Sequence, residues 1–286
     1  MSQYQSIFEG LRANRIVPYI GPGAVSDARS ALTGTAMPAD SNSLILAMND
    51  GKPMAPKLMY EFPRAAMNLE LKRGRSFVEG FLTRTYANTK WTRARVHDWL
   101  AELAPHYVID INRDSQLQDS YKNTPHLLIR GIARVAGTAY RFTVHQYDGS
   151  AYHEVTQEEA DSELPILFKP MGSPIPKPCF IASDADYVDY ITELMGGFAI
   201  PSFLKEYRAG LQYLLMGMPL NRDSERMVMS DITWGAQEQR GWVLNTSPTD
   251  KEKRYCERIG LEIIPLEVDE FLNDFQHSEQ IETVAA

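Results

Sequence analysis

Short apolar runs alternate with helix-like stretches through the last third of the chain, and this alternation constrains the fold more than any other feature. A helical stretch at 201–209 leads into an apolar run at 211–216. Trp242-Val243-Leu244 precedes a helical stretch at 249–259, and a further apolar run covers 261–264. Strands this short, separated by helices, satisfy their backbone groups by pairing side by side with the helices as crossovers. The pattern predicts an α/β fold with a largely parallel sheet.

The N-terminal part repeats the theme. Tyr4, Ile7, Phe8 and Leu11 have the spacing of one helix face, and Ile16-Val17-Pro18-Tyr19-Ile20 reads as a buried strand stopping at Gly21-Pro22-Gly23. The stretch 33–56 is loop-like with a short apolar piece at 44–48, and two or three helices are expected between 55 and 103. Tyr107-Val108-Ile109 is a strand candidate, and 124–135 reads as a helix. Residues 138–155 gather β-branched and aromatic residues around Asp148-Gly149, a hairpin signal. Ile166-Leu167-Phe168-Lys169 is the next strand, 184–195 is helical by spacing with Ser183 as N-cap, and the end from about 277 is expected to fray.

Composition narrows the classes. A chain of 286 residues allows two lobes at most and buries roughly three quarters of its unfolded surface, so it needs no disulfides. The balance of 29 Lys+Arg against 37 Asp+Glu, net −8, argues against nucleic acid, whose phosphates demand basic side chains. Only two cysteines, Cys179 and Cys256, are present, too few for a four-cysteine zinc site. No apolar run approaches the ~20 residues of a membrane span, and the first residues lack an apolar signal core. A cytoplasmic protein without membrane, zinc or nucleic-acid partners is expected.

Five strand ends offer places for chemistry. Gly21-Pro22-Gly23-Ala24-Val25-Ser26 is a glycine turn after a first strand, where backbone can approach a pyrophosphate, although Pro22 removes a donor. Asn112 and Asp114 follow a second strand; an Asn there can orient a ribose or a water, and an Asn-Arg-Asp triplet is equally an ordinary turn. Met171, Gly172 and Ser173 follow a third, and a thioether has no basicity for general-base work. Gly217 and Asn245 end two more. His97, His106, His126, His145 and His153 show no helical i, i+4 metal spacing, so surface or satisfied core roles are expected and no metal site. Gly-x-Ser-x-Gly and Walker-type glycine loops are missing from the sequence.

In order along residues 14–266, these motifs resemble the SIR2-like (sirtuin-related) family. Residues 16–26 are similar to its first strand and Gly-Ala-Gly-x-Ser loop, and 96–114 to its helix, strand and Thr-Thr-Asn-x-Asp motif. Residues 166–173 are similar to its Lys-x-His-Gly motif, 180–190 to the helix that follows, and 200–223 to its apolar strand and Gly-x-Ser-x-x-Asp turn. The resemblance implies a Rossmann-like sheet flanked by helices with a small helical and β-hairpin lobe inserted. The sheet core would comprise about 1–35, 92–115 and 165–276, the lobe about 36–91 and 116–164, and a flexible tail 277–286.

It further implies an NAD or ADP-ribose cleft. Gly21 and Gly23 would lie under the pyrophosphate, Asn112 and Asp114 would face nicotinamide and its ribose, and Gly217 and Asn245 would line the adenosine end, with Ser26, Gly172 and Ser173 completing the set. The family's catalytic histidine coincides with Met171, and Asp110-Ile111 replaces the Thr-Thr pair. A general base contributes ~10²–10⁴-fold, so its loss degrades catalysis. The resemblance therefore implies a zinc-free, catalytically degenerate member acting as a binding or regulatory module on a protein partner, for example a larger metabolic enzyme such as a nitrogen-fixation complex. The alternative is an active NAD glycohydrolase with Asn112 positioning water.

Overall fold

A computed structural model describes residues 4–285, with side chains described as far as Ser278. Eleven strands occur among these residues: β1 (Ile16–Ile20), β2 (Tyr107–Asp110), β3 (His126–Gly131), β4 (Phe142–Tyr147), β5 (Tyr152–Val155), β6 (Ile166–Lys169), β7 (Gly172–Ser173), β8 (Cys179–Phe180), β9 (Gln212–Met216), β10 (Gly241–Leu244) and β11 (Leu261–Ile264). The α-helices are α1 (Gln5–Arg12), α2 (Ser41–Met48), α3 (Phe62–Arg73), α4 (Arg75–Tyr86), α5 (Arg95–Leu103), α6 (Gln116–Ser120), α7 (Asp184–Gly196), α8 (Ser202–Tyr207), α9 (Asp223–Ile232), α10 (Asp250–Ile259) and α11 (Val268–Ala285).

Nine strands form one sheet in the order β11-β10-β9-β1-β2-β6-β3-β4-β5, parallel except at β3-β4 and β4-β5. The six strands from β6 to β11, counted in chain order, run 3-2-1-4-5-6, the order of dinucleotide-binding doubly wound folds. The fold is α/β with a largely parallel sheet, as the alternation of runs predicts, and Rossmann-like, as the resemblance implies.

Strand alternation splits the core into two layers. Ile16, Ile20, Val108, Leu167 and Leu214 face one side, where Phe8, Trp99, Leu100, Phe271 and Phe275 from α1, α5 and α11 cover them. Val17, Tyr19, Ile109, Phe168 and Leu215 face the other, under α7, α8, α9 and α10. Asp110 and Lys169, at the ends of β2 and β6, are fully buried.

Three stretches differ from the sequence reading. The 124–135 stretch expected as a helix contains β3, whose six residues are buried between β6 and β4. A run buried on both faces shows no alternation, so helix and strand are indistinguishable by period. The hairpin of β4 and β5 pairs onto β3 from His126↔Tyr147 to Gly131↔Phe142, extending the sheet instead of standing in a separate lobe. That pairing closes the edge β3 would otherwise leave open. Residues 41–48, read within a loop, form α2, whose first turn is held by Asp40 accepting the Asn42 and Ser43 N–H groups at 2.8 and 3.1 Å. Within the expected tail, 277–285 continue α11 and Ala286 lies outside the described residues.

Candidate functional site

The strand order reverses between β1 and β9, the place where doubly wound folds bind ligands. Three glycines meet there. Gly21 donates its N–H to the Met216 carbonyl at 2.8 Å, and Gly23 to the Gly217 carbonyl at 2.9 Å. Gly217 has φ +65°, and a Cβ there would stand 2.1 Å from the Ala24 nitrogen. A Cβ on Gly21 would meet the Gly217 carbonyl oxygen at 2.6 Å. The glycines thus let two strand ends touch, and the Gly21 and Gly23 N–H groups are spent on that contact.

Beneath the turn lies a cavity of about 40 Å³ whose lining includes Tyr19, Phe62, Asn112, Arg113, Met171 and Glu225. Ligand pockets for drug-sized molecules span about 300–1,000 Å³, so this one has room for water alone. Asn112 Nδ2 donates to the Gly21 carbonyl at 3.1 Å and to Asp110 Oδ1 at 2.9 Å, fixing the amide. Arg113 sends Nε and Nη2 to the Ile181 carbonyl at 3.0 and 2.7 Å and lies over the Phe62 ring. Met171 is buried at the cavity wall.

Two carboxylates meet at the start of α9. Glu61, just before α3, is buried and accepts the Asp223 N–H at 3.1 Å, so a side chain of the protein supplies the anion at the start of α9. Glu225, in the first turn of α9, has a buried Oε2 without a hydrogen-bond partner. Burial, with Glu61 nearby, pushes its carboxyl up to about 8, against the pull of Arg222 and Arg113.

A second polar group lies behind Asn112. Lys169 Nζ donates to Asp110 Oδ2 at 2.7 Å, and His97 Nε2 lies 3.6 Å from the same oxygen. Burial alone would raise the Asp110 carboxyl, but Lys169 and His97 outweigh it and hold it below the usual carboxylate range. Asp114 Oδ1 accepts the Gln116 N–H at 2.8 Å while its Oδ2 is buried and unpaired.

The structure brings Asn112 and Met171 into one cavity with Gly21 beside them, and packs Gly23 on Gly217. The remaining expected site residues do not line it. Ser26 is exposed, Asn245 Oδ1 accepts the Ser247 N–H in its own turn, and Ser173 Oγ accepts from Gln118 Nε2. Gly172, at φ +84°, leaves no room for a Cβ against the Cys179 carbonyl, and Asp114 lies with His97 and Asp110. The sequence reading missed Glu61, Glu225, His97 and the Asp110–Lys169 pair. Only the last had a signal: a charged residue ends each of two apolar strands. His126, expected in a helix, sits on β3, its Nε2 2.7 Å from the Tyr152 hydroxyl.

Searches against protein-family models and against curated proteins return no match for this chain.

Proposed function

We propose that this chain is a catalytically degenerate, sirtuin-like module that acts by binding a protein partner. The observation that carries the reading is the closed cleft: about 40 Å³, walled by Met171 where the resembled family has its catalytic histidine. Glu61 already takes the Asp223 N–H at the start of α9, and Gly21 and Gly23 spend their N–H groups on the neighbouring strand end, which leaves NAD or ADP-ribose as residual ligands.

The partner reading draws on the opposite surface feature. A groove of about 770 Å³ along α9 and α10 is lined by Met195, Met227, Tyr255 and the cations Arg226, Lys251, Arg254 and Arg258, against Asp223 and Asp231. Met195 and Met227, which share the groove, are 71% and 45% exposed, and exposed apolar groups mark interaction surfaces when clustered. The partner class includes a larger metabolic enzyme, such as a nitrogen-fixation complex.

Calorimetry with NAD and ADP-ribose, beside native co-purification with mass spectrometry, tests the proposal. Weak or absent nucleotide heat is expected, with a stoichiometric partner lost in Met195→Glu/Met227→Glu. Tight NAD binding with no partner would overturn it. A second reading, NAD glycohydrolase, is favoured by one observation: Glu225, with its raised carboxyl, shares the cavity with Asn112.

A further inference from the structure

We propose that His97, Asp110 and Asp114 form a binding site for one divalent transition-metal cation, buried behind the cleft. The inference is independent of the partner-binding reading above. One ligand atom from each residue lies within 4.8 Å of the others, and all three side chains are buried. The 3.6 Å between His97 Nε2 and Asp110 Oδ2 is close to the ~3.4 Å edge of a tetrahedron with ~2.1 Å bonds.

Unpaired atoms point to a ligand independently. Both ring nitrogens of His97, which is fully buried, lack a hydrogen-bond partner, and so does Asp114 Oδ2, on a side chain 1% exposed. Orphaned buried polar atoms are costly; one imidazole can offer an ion one nitrogen, so one His97 nitrogen and Asp114 Oδ2 are the two atoms a shared occupant would satisfy. Charge says which kind. Lys169 offsets one carboxylate, Asp110, while Asp114 is in no ion pair among the described residues. Two carboxylates thus face one lysine ammonium, and an ion at Asp110 Oδ2 would share that oxygen with Lys169 Nζ, 2.7 Å away.

Imidazole nitrogen with two carboxylate oxygens suits zinc or manganese better than calcium, which takes six to eight oxygens. Three protein ligands leave one position for water. The three come from α5, the end of β2 and the loop after it, so a bound ion would tie the helix to the segment that carries Asn112. Asp110 Oδ1, which accepts the Asn112 N–H at 2.9 Å, stays free for that role.

The test uses the whole protein, stripped with a chelator and titrated with ZnCl₂ and, separately, MnCl₂, followed by calorimetry and by Co²⁺ absorption. One equivalent of Zn²⁺ is expected, with affinity falling at least about tenfold in His97→Gln and in Asp114→Asn. Circular dichroism confirms that the variants fold, and Asn at 114 keeps the oxygen that accepts the Gln116 N–H. His153→Ala, which alters the exposed His153–Asp148 pair, is expected to leave binding unchanged. No uptake of either metal would overturn the proposal. So would uptake equal in wild type and both folded variants, or a His97 imidazolium seen by nitrogen NMR in the presence of Zn²⁺.

Discussion

Lys169 Nζ lies 2.7 Å from Asp110 Oδ2 with both side chains fully buried at the ends of adjacent parallel strands. Removing one partner of such a pair strands the other charge in a medium that cannot solvate it. Lys169→Met is expected to destabilise the fold by about 3–5 kcal/mol, and Lys169→Met/Asp110→Leu by less than the sum of the single changes. Urea unfolding of the three variants measures this.

Acid should unfold the protein through the same pair. The folded-state Asp110 carboxyl is held below its unfolded value, so its stabilisation is complete above the ordinary carboxylate range. It is lost as pH falls through the folded value. Urea midpoints measured from pH 5 downward should decline in wild type and much less in Asp110→Asn.

Glu225 has the opposite sign. Its folded-state carboxyl is raised to about 8, so the folded protein holds a proton that the unfolded chain releases near pH 4, and stability falls as pH rises between these values. Glu225→Gln should flatten that decline and gain about 1–2 kcal/mol at pH 8.5, since partial solvent access weakens the full effect. Unfolding free energies at pH 5, 7 and 8.5 decide it.

The glycine contact predicts a graded pair of effects. At Gly217 a side chain is both left-handed and in collision with the Ala24 nitrogen, whereas at Gly23 the nearest atom is 3.0 Å away. Gly217→Ala should cost about 2 kcal/mol or more and Gly23→Ala distinctly less. Thermal midpoints of the two variants check the order.

How far the sequence announced this depends on how local each feature is. β1, β9, β10 and β11 are short apolar runs ended by turn or polar residues, so their identity was readable without the fold. β3 was not, because burial on both faces erased its alternation, and neither was α2, whose polar start hid the Asp40 cap. Asn112 and Met171 were legible from motif order and do share a cavity. Glu61 with Glu225, and His97 with Asp110, meet only through packing of distant elements; nothing in their own neighbourhoods signals a partner.

A closed cleft that cannot take NAD should leave the nicotinamide–ribose bond intact. Purified protein incubated with NAD and followed for free nicotinamide tests this, beside Met171→His, Asn112→Ala and Glu225→Gln. No release above buffer is expected from wild type or from Met171→His, because a histidine alone neither enlarges the cavity nor frees the Asn112 amide. Release by wild type that disappears in Asn112→Ala or Glu225→Gln would contradict it.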